Sequence, residues 1–237
     1  MSRRTVTVPA ARLVRWVDGF AVRHGGAEAE RTPDGFVLRG TDGERAEAVL
    51  PFLPWDGSEE ISSDCATMAA AALAHLGLPR RTVVLIVRRG GYACAVVETG
   101  PAAGQVIVSK VGSRHVQGRT AAGGWSQQRY ARRRDKQASE LVQAVADHAA
   151  RLLRPALSEA RRTGGGESSG SPGGSWARVW LVTGGDRALV GEVLADRRLE
   201  AVAGLTSWGH LPIGDPDRAV VAGLPERLTC VSLTLTS

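Results

Sequence analysis

The sequence predicts an α/β (α+β) protein: a mixed β-sheet flanked by helices over residues 80–237, behind a smaller N-terminal α+β segment at 1–79. Three observations predict it. Three runs rich in Val and Ile, TVVLIVRR, YACAVVETG and GQVIVSKVGSRHV, are separated by glycine-bearing turns, as in a β-meander. A long apolar stripe at helical spacing follows them. Beyond it, strand-like, helix-like and strand-like stretches alternate, which a sheet covered by helices requires. A chain of 237 residues, 43% of them hydrophobic, has enough apolar surface to fill such a core.

In chain order, Leu13, Trp16, Val17 and Phe20 fall at i, i+3, i+4 and i+7, which predicts an amphipathic helix over about residues 8–23 that ends at Gly25-Gly26. FVLRG and AEAVLPF flank the tight-turn pair Asp42-Gly43, so residues 27–53 read as short antiparallel strands. SSDCATMAAAALAHLG offers Ser or Asp as N-cap, helix-forming alanines and Gly77 as a stop. The three strong strands come next, turning at Gly90-Gly91 and Gly100-Pro101. Ala138, Leu141, Val142, Val145, Ala149, Leu152 and Leu153 then form one helical stripe, which Tyr130 extends backwards. Arg129, Arg132, Arg133 and Lys136 share a different face by the same spacing rule. After Pro155, the Gly/Ser-rich run at 163–175 has little to bury and predicts a flexible insertion. WARVWLVTG reads as a strand, GDRALVGEVLADRRL as a helix, and LTCVSLTLTS as a terminal strand expected in the mixed sheet.

Charge narrows the function. Lys+Arg 30 against Asp+Glu 24 gives +6 and a pI near 10.0, a balance that favours nucleic acid or an anionic surface as partner. Its distribution is sharper: residues 110–136 hold eight cations against one carboxylate, a local +7 that exceeds the whole-chain value. Cys65, Cys94 and Cys230 have spacings that fit neither a zinc site nor a disulfide framework, so a reducing cytoplasm is expected. No run of about 18 apolar residues exists, and no membrane partner is expected. The heavy use of Ala, Arg, Gly and Val points to a high-GC genome such as an actinomycete's.

The chemistry concentrates in QGRTAAGGWSQQRYARRRDKQASE, residues 117–140. The run Gly123-Gly124-Trp125-Ser126-Gln127-Gln128-Arg129-Tyr130-Ala131-Arg132 resembles the catalytic loop of eukaryotic and archaeal class-I peptide-release factors, Gly-Gly-Gln-Ser-Ala-Leu-Arg-Phe-Ala-Arg. Gly, Gly, Ser, Arg, Ala and Arg coincide, and Tyr130 replaces Phe. Ungapped, Trp125 stands where that family has its glutamine. The closer resemblance is to the release-factor-like branch of eukaryotic ribosome quality control and of actinobacteria, in which residues intervene between the glycine pair and the glutamine.

The resemblance implies a release-factor catalytic-domain fold and hydrolysis of peptidyl-tRNA on stalled large ribosomal subunits, with rRNA and the tRNA as partners and no metal or organic cofactor. Gly123 and Gly124 would make the tip thin enough for an RNA-walled cavity. Gln127 or Gln128 would align the water, with Gln127 preferred and its neighbour open because one inserted residue shifts the alignment by one. Arg119, Arg129, Arg132, Arg133, Arg134 and Lys136 would hold phosphates, giving position and salt dependence rather than sequence selectivity. Trp125 either stacks on a base or folds back as an apolar anchor. His115 is more readily a structural hydrogen bonder than a general base.

Two other classes remain open: an RNA-binding factor that only occupies the ribosome, and a ribonuclease that cuts the tRNA 3′ CCA end. GGDRALVGEV, residues 184–193, lacks dinucleotide or P-loop spacing and reads as a strand-to-helix turn capped by Asp186. GHLPIGDPD near 209–217 reads as a loop.

Overall fold

The computed structural model describes residues 3–55, 63–100, 104–113, 125–164 and 179–236; on α3 the side chains of 125–131, 133–135, 156 and 159–164 lie outside the description. The elements are β1 (Arg3–Val8), α1 (Leu13–Arg23), β2 (Ala27–Thr32), β3 (Gly35–Gly40), β4 (Arg45–Val49), α2 (Cys65–Leu76), β5 (Arg80–Arg88), β6 (Gly91–Thr99), β7 (Gln105–Ser113) and α3 (Trp125–Gly164). They continue as β8 (Val179–Gly185), α4 (Arg187–Leu194), α5 (Glu200–Ala203), β9 (Thr206–Leu211), α6 (Arg218–Ala222), α7 (Leu224–Leu228) and β10 (Val231–Thr236). The chain divides into two compact units, one of residues 1–79, 99–104 and 225–237, the other of 80–98 and 105–224.

The first unit is an antiparallel sheet in the order β1-β10-β4-β3-β2, with α1 and α2 on one face. α1 offers Leu13, Val17 and Phe20 to the core, as its spacing predicts, but starts four residues after Pro9 behind a short 3₁₀ turn at Ala10–Arg12. α2 is capped by Asp64, whose side chain accepts from the Thr67 N–H at 2.7 Å, and stops at Gly77. β1 and the position of β10 depart from the sequence reading. β10 pairs with β1 and β4, not with the mixed sheet. Its pattern explains why: Val231 and Leu233 are buried while Ser232 is exposed, the alternation of a strand with one face in the core. β5 shows the opposite pattern, with every residue from Arg80 to Val87 buried.

The second unit is the mixed sheet, in the order β7-β6-β5-β8-β9. β6 and β7 are antiparallel, and the two-residue turn at Arg89-Gly90 permits only an antiparallel β5–β6 pair. β5, β8 and β9 run parallel, so the chain must cross over through helices, and α4 makes the β8-to-β9 crossing. β9 takes in part of the stretch expected to be a loop; Gly209 and a register shift beside it blur its strand pattern. The helix expected over GDRALVGEVLADRRL stops at Leu194, and Asp196 then caps a 3₁₀ turn that leads into α5.

α3 supplies the central ridge of this core. Leu141, Val145, Ala149, Leu153 and Leu157, each four residues after the last, are buried against Val83, Leu85 and Val87 of β5, Tyr92, Cys94 and Val96 of β6, and the apolar face of α4. A buried leucine contributes about 1.5–3 kcal/mol, so this ridge fixes the rear of the helix. α3 also continues through Pro155, which removes the N–H that would have bonded the Arg151 carbonyl. No helix among the described residues is long and apolar enough to cross a membrane.

Candidate functional site

β7 and α3 are the two elements that frame residues 114–124. β7 lies at the sheet edge and its residues from Ile107 to Lys110 are exposed. Its exit end is tightly packed, one pair before the end of the ladder. Gly112 sits opposite Tyr92, whose ring lies across the glycine so closely that a Cβ there would stand 2.4 Å from the phenol Cζ and Oη. The buried Tyr92 ring also stacks with His148 of α3, centroids 5.7 Å apart and planes 16° from parallel. The exit of β7 and the middle of α3 are therefore held through one aromatic pair.

At the other side of the loop, α3 begins at Trp125, and its first buried side chain among those described is Leu141. Sixteen residues at 1.5 Å each put the leading end about 24 Å ahead of that anchor. Arg132 and Lys136, one turn apart, are both exposed there. Gln127 and Gln128 fall in the first turn, where the backbone N–H groups have no intrahelical acceptor and the macrodipole is positive. The side chains of Trp125, Gln127, Gln128, Arg129, Arg133 and Arg134 lie outside the described residues, as do Arg119, Gly123, Gly124 and His115 altogether. The Gly/Ser-rich run lies outside them from residue 165 onwards.

Two features were not read from the sequence. Further along α3, Arg151 and Arg154 occupy the exposed face, and Arg198 reaches that face from the turn before α5. The Arg198 guanidinium donates to Asp147 Oδ1 at 2.6 Å and to Asp196 Oδ2 at 2.7 Å. Hydrogen bonds from Arg198 hold the Asp196 carboxyl down at about 2 and also lower that of Asp147. The helical wheel would have shown Arg151 and Arg154 on the face of Arg132 and Lys136; Arg198 is brought in by tertiary structure alone. The Tyr92–Gly112 contact is likewise a matter of register.

Elsewhere, three titratable groups with defined surroundings have structural roles. Asp186 caps α4, accepting from the Ala188 and Leu189 N–H groups at 3.0 and 3.3 Å, as its position at the strand-to-helix turn predicts. His210 Nε2 donates to the Gly185 carbonyl at 3.0 Å, leaving Nδ1 to accept from the Thr183 hydroxyl at 2.9 Å. Burial pushes the Cys94 thiol up to about 12, and it cannot act as a nucleophile near neutrality. Among the described residues no group of three His, Cys, Asp or Glu side chains could hold a metal ion.

The second unit thus pairs a mixed sheet with one long helix whose leading end is rich in cations, and the family its sequence matches is one of release factors, which ties its function to the ribosome. The family model described as Actinobacteria/chloroflexi VLRF1 release factor matches residues 80–234, and the chain belongs to that family. The match opens on the first residue of β5 and spans the whole second unit. No curated protein matches the chain.

Proposed function

We propose that the chain hydrolyses peptidyl-tRNA on stalled large ribosomal subunits, using the 114–124 segment and the first turn of α3 as its catalytic tip. The observation that carries this reading is the placement of Gln127 and Gln128 at the head of a helix whose first described buried residue is about 24 Å behind it. A probe of that form reaches into a cavity without burying the body of the protein.

The reaction asks little of acid or base side chains. A water oxygen attacks the ester carbonyl carbon, the bond from that carbon to the tRNA 3′ oxygen breaks, and the water proton ends on that oxygen. The products are a free peptide carboxyl and a tRNA with an intact 3′ hydroxyl. The amide oxygen of Gln127, or of Gln128, accepts a hydrogen bond from the water and fixes its line of attack. A backbone N–H near the tip donates to the developing oxyanion. The flanking cations, Arg119, Arg129, Arg132, Arg133, Arg134 and Lys136, neutralise RNA phosphates and set depth and orientation. Trp125 stacks on the terminal base.

The test is peptide release from purified large subunits carrying labelled peptidyl-tRNA. Wild type releases the peptide and leaves the CCA end whole. Replacing the aligning glutamine with alanine lowers the rate on the order of 10²-fold, as misplacing a reacting group does. A Gln127→Ala, Gln128→Ala protein that releases at the wild-type rate, or a tRNA that loses its CCA end, overturns the proposal.

A further inference from the structure

The middle of α3 carries a second basic surface, separate from the leading end. Arg151, Arg154, Pro155 and Ser158 of α3, with Arg198 across from them, line an open cleft of about 750 Å³. The charges in it are not equivalent. Arg198 is shared between the carboxylates of Asp196 and of Asp147, which also lines the cleft, so it acts as a rigid wall and offers no free positive charge. Arg151 is steered by donation from Nε to the Asp147 carbonyl at 3.1 Å, and an Nη2 hydrogen faces His148 Nδ1 at 3.5 Å. Neither contact discharges its guanidinium. Arg154 pairs with no carboxylate among the described residues. Arg151 and Arg154 thus present two forked donors one turn apart, in a concave place and beside the Ser158 hydroxyl.

The position of this cleft matters as much as its charge. At 3.6 residues per turn, Arg132, Lys136, Arg151 and Arg154 fall within one sector of about 100° on α3, and Arg154 follows Arg132 by about 33 Å. One helix face therefore offers cations at both ends. Among the described residues no aromatic side chain lines the cleft to stack a base, whereas paired guanidiniums suit phosphate oxygens. The chemistry is that of a backbone contact without sequence reading.

We propose that this cleft is a second RNA-backbone site, in which Arg151 and Arg154 take phosphodiester oxygens of structured ribosomal RNA while the leading end of α3 enters its cavity. The inference rests on the proposed entry of the 114–124 segment and the first turn of α3 into the large subunit. Its test is separable from that reading because it measures binding, not release. Binding of purified large subunits without peptidyl-tRNA is measured between 50 and 300 mM salt for wild type and for Arg151→Gln, Arg154→Gln. An Arg12→Gln, Arg15→Gln protein makes the same charge change at two exposed positions, one at the end of the 3₁₀ turn and one in the first turn of α1.

Loss of two phosphate contacts lowers the log–log salt slope by about 2 and weakens binding roughly tenfold or more at low salt. The α1 variant keeps the wild-type slope. A cleft variant with wild-type slope and affinity, or an α1 variant that loses as much, overturns the inference. If wild type binds with the expected slope but releases no peptide, the hydrolase reading falls while the cleft stands.

Discussion

Replacing Gly112 with alanine tests the contact that ties the exit of β7 to α3. The backbone at Gly112 needs no positive φ, so the whole effect is steric. The new Cβ would meet Tyr92 Cζ and Oη at 2.4 Å and Cε1 at 2.5 Å, where ordinary contact lies at about 3.5–4.0 Å. The ring must retreat by about 1 Å, yet it is 4% exposed and stacked on His148. Overpacking of this kind costs about 1–3 kcal/mol. Tyr92→Leu removes the obstacle, so Gly112→Ala made in that background should change stability by no more than about 0.5 kcal/mol. Guanidinium unfolding of the four proteins gives the coupling, expected at about 1–3 kcal/mol. A Gly112→Ala protein as stable as wild type, or an equal cost in both backgrounds, would refute the reasoning.

Leu153→Ala opens a cavity under the α3 ridge and should cost about 2–5 kcal/mol in the same unfolding assay. Asp64→Ala removes the cap of α2 and should cost about 1 kcal/mol. The Asp196 carboxyl titrates near 2 in the folded protein against about 3.9 unfolded, so its contribution is present above pH 4 and lost as the pH falls through 2. In Arg198→Ala, NMR titration should find Asp147 and Asp196 shifted up toward ordinary carboxylates, and that part of the acid sensitivity gone. Cys94 should resist alkylation at pH 8 in the native protein and react at once in denaturant, which mass spectrometry of the labelled peptide reads directly.

Periodicity made much of the fold legible. The α1 and α3 stripes, the β2–β4 strands and the β5–β7 run are local patterns, and each one is where its spacing puts it. β1 and β9 escaped because edge strands bury little and carry mixed residues, as RRTVTV and TSWGHL do. The partner of β10 escaped for another reason: pairing is a long-range choice, although the Val231, Leu233 alternation held the clue. Of the candidate site, the glycine pair, the amides and the arginine block were visible as a motif, and the family match bears out the release-factor resemblance they carry. The Arg151–Arg154–Arg198 cleft was not visible. It exists only once the turn at residue 198 is folded against α3.

The insertion of β10 between β1 and β4 has a consequence for biosynthesis. The second unit is continuous from residue 105 to 224, but the first sheet has a gap in its middle until residues 231–236 leave the ribosome. About 150 residues separate α2 from β10, and at about 5–20 residues per second the wait is on the order of ten to thirty seconds. During that interval β4 exposes an unpaired edge and β1 has no partner, so the unfinished sheet is a template for pairing with another chain until the last strand closes it.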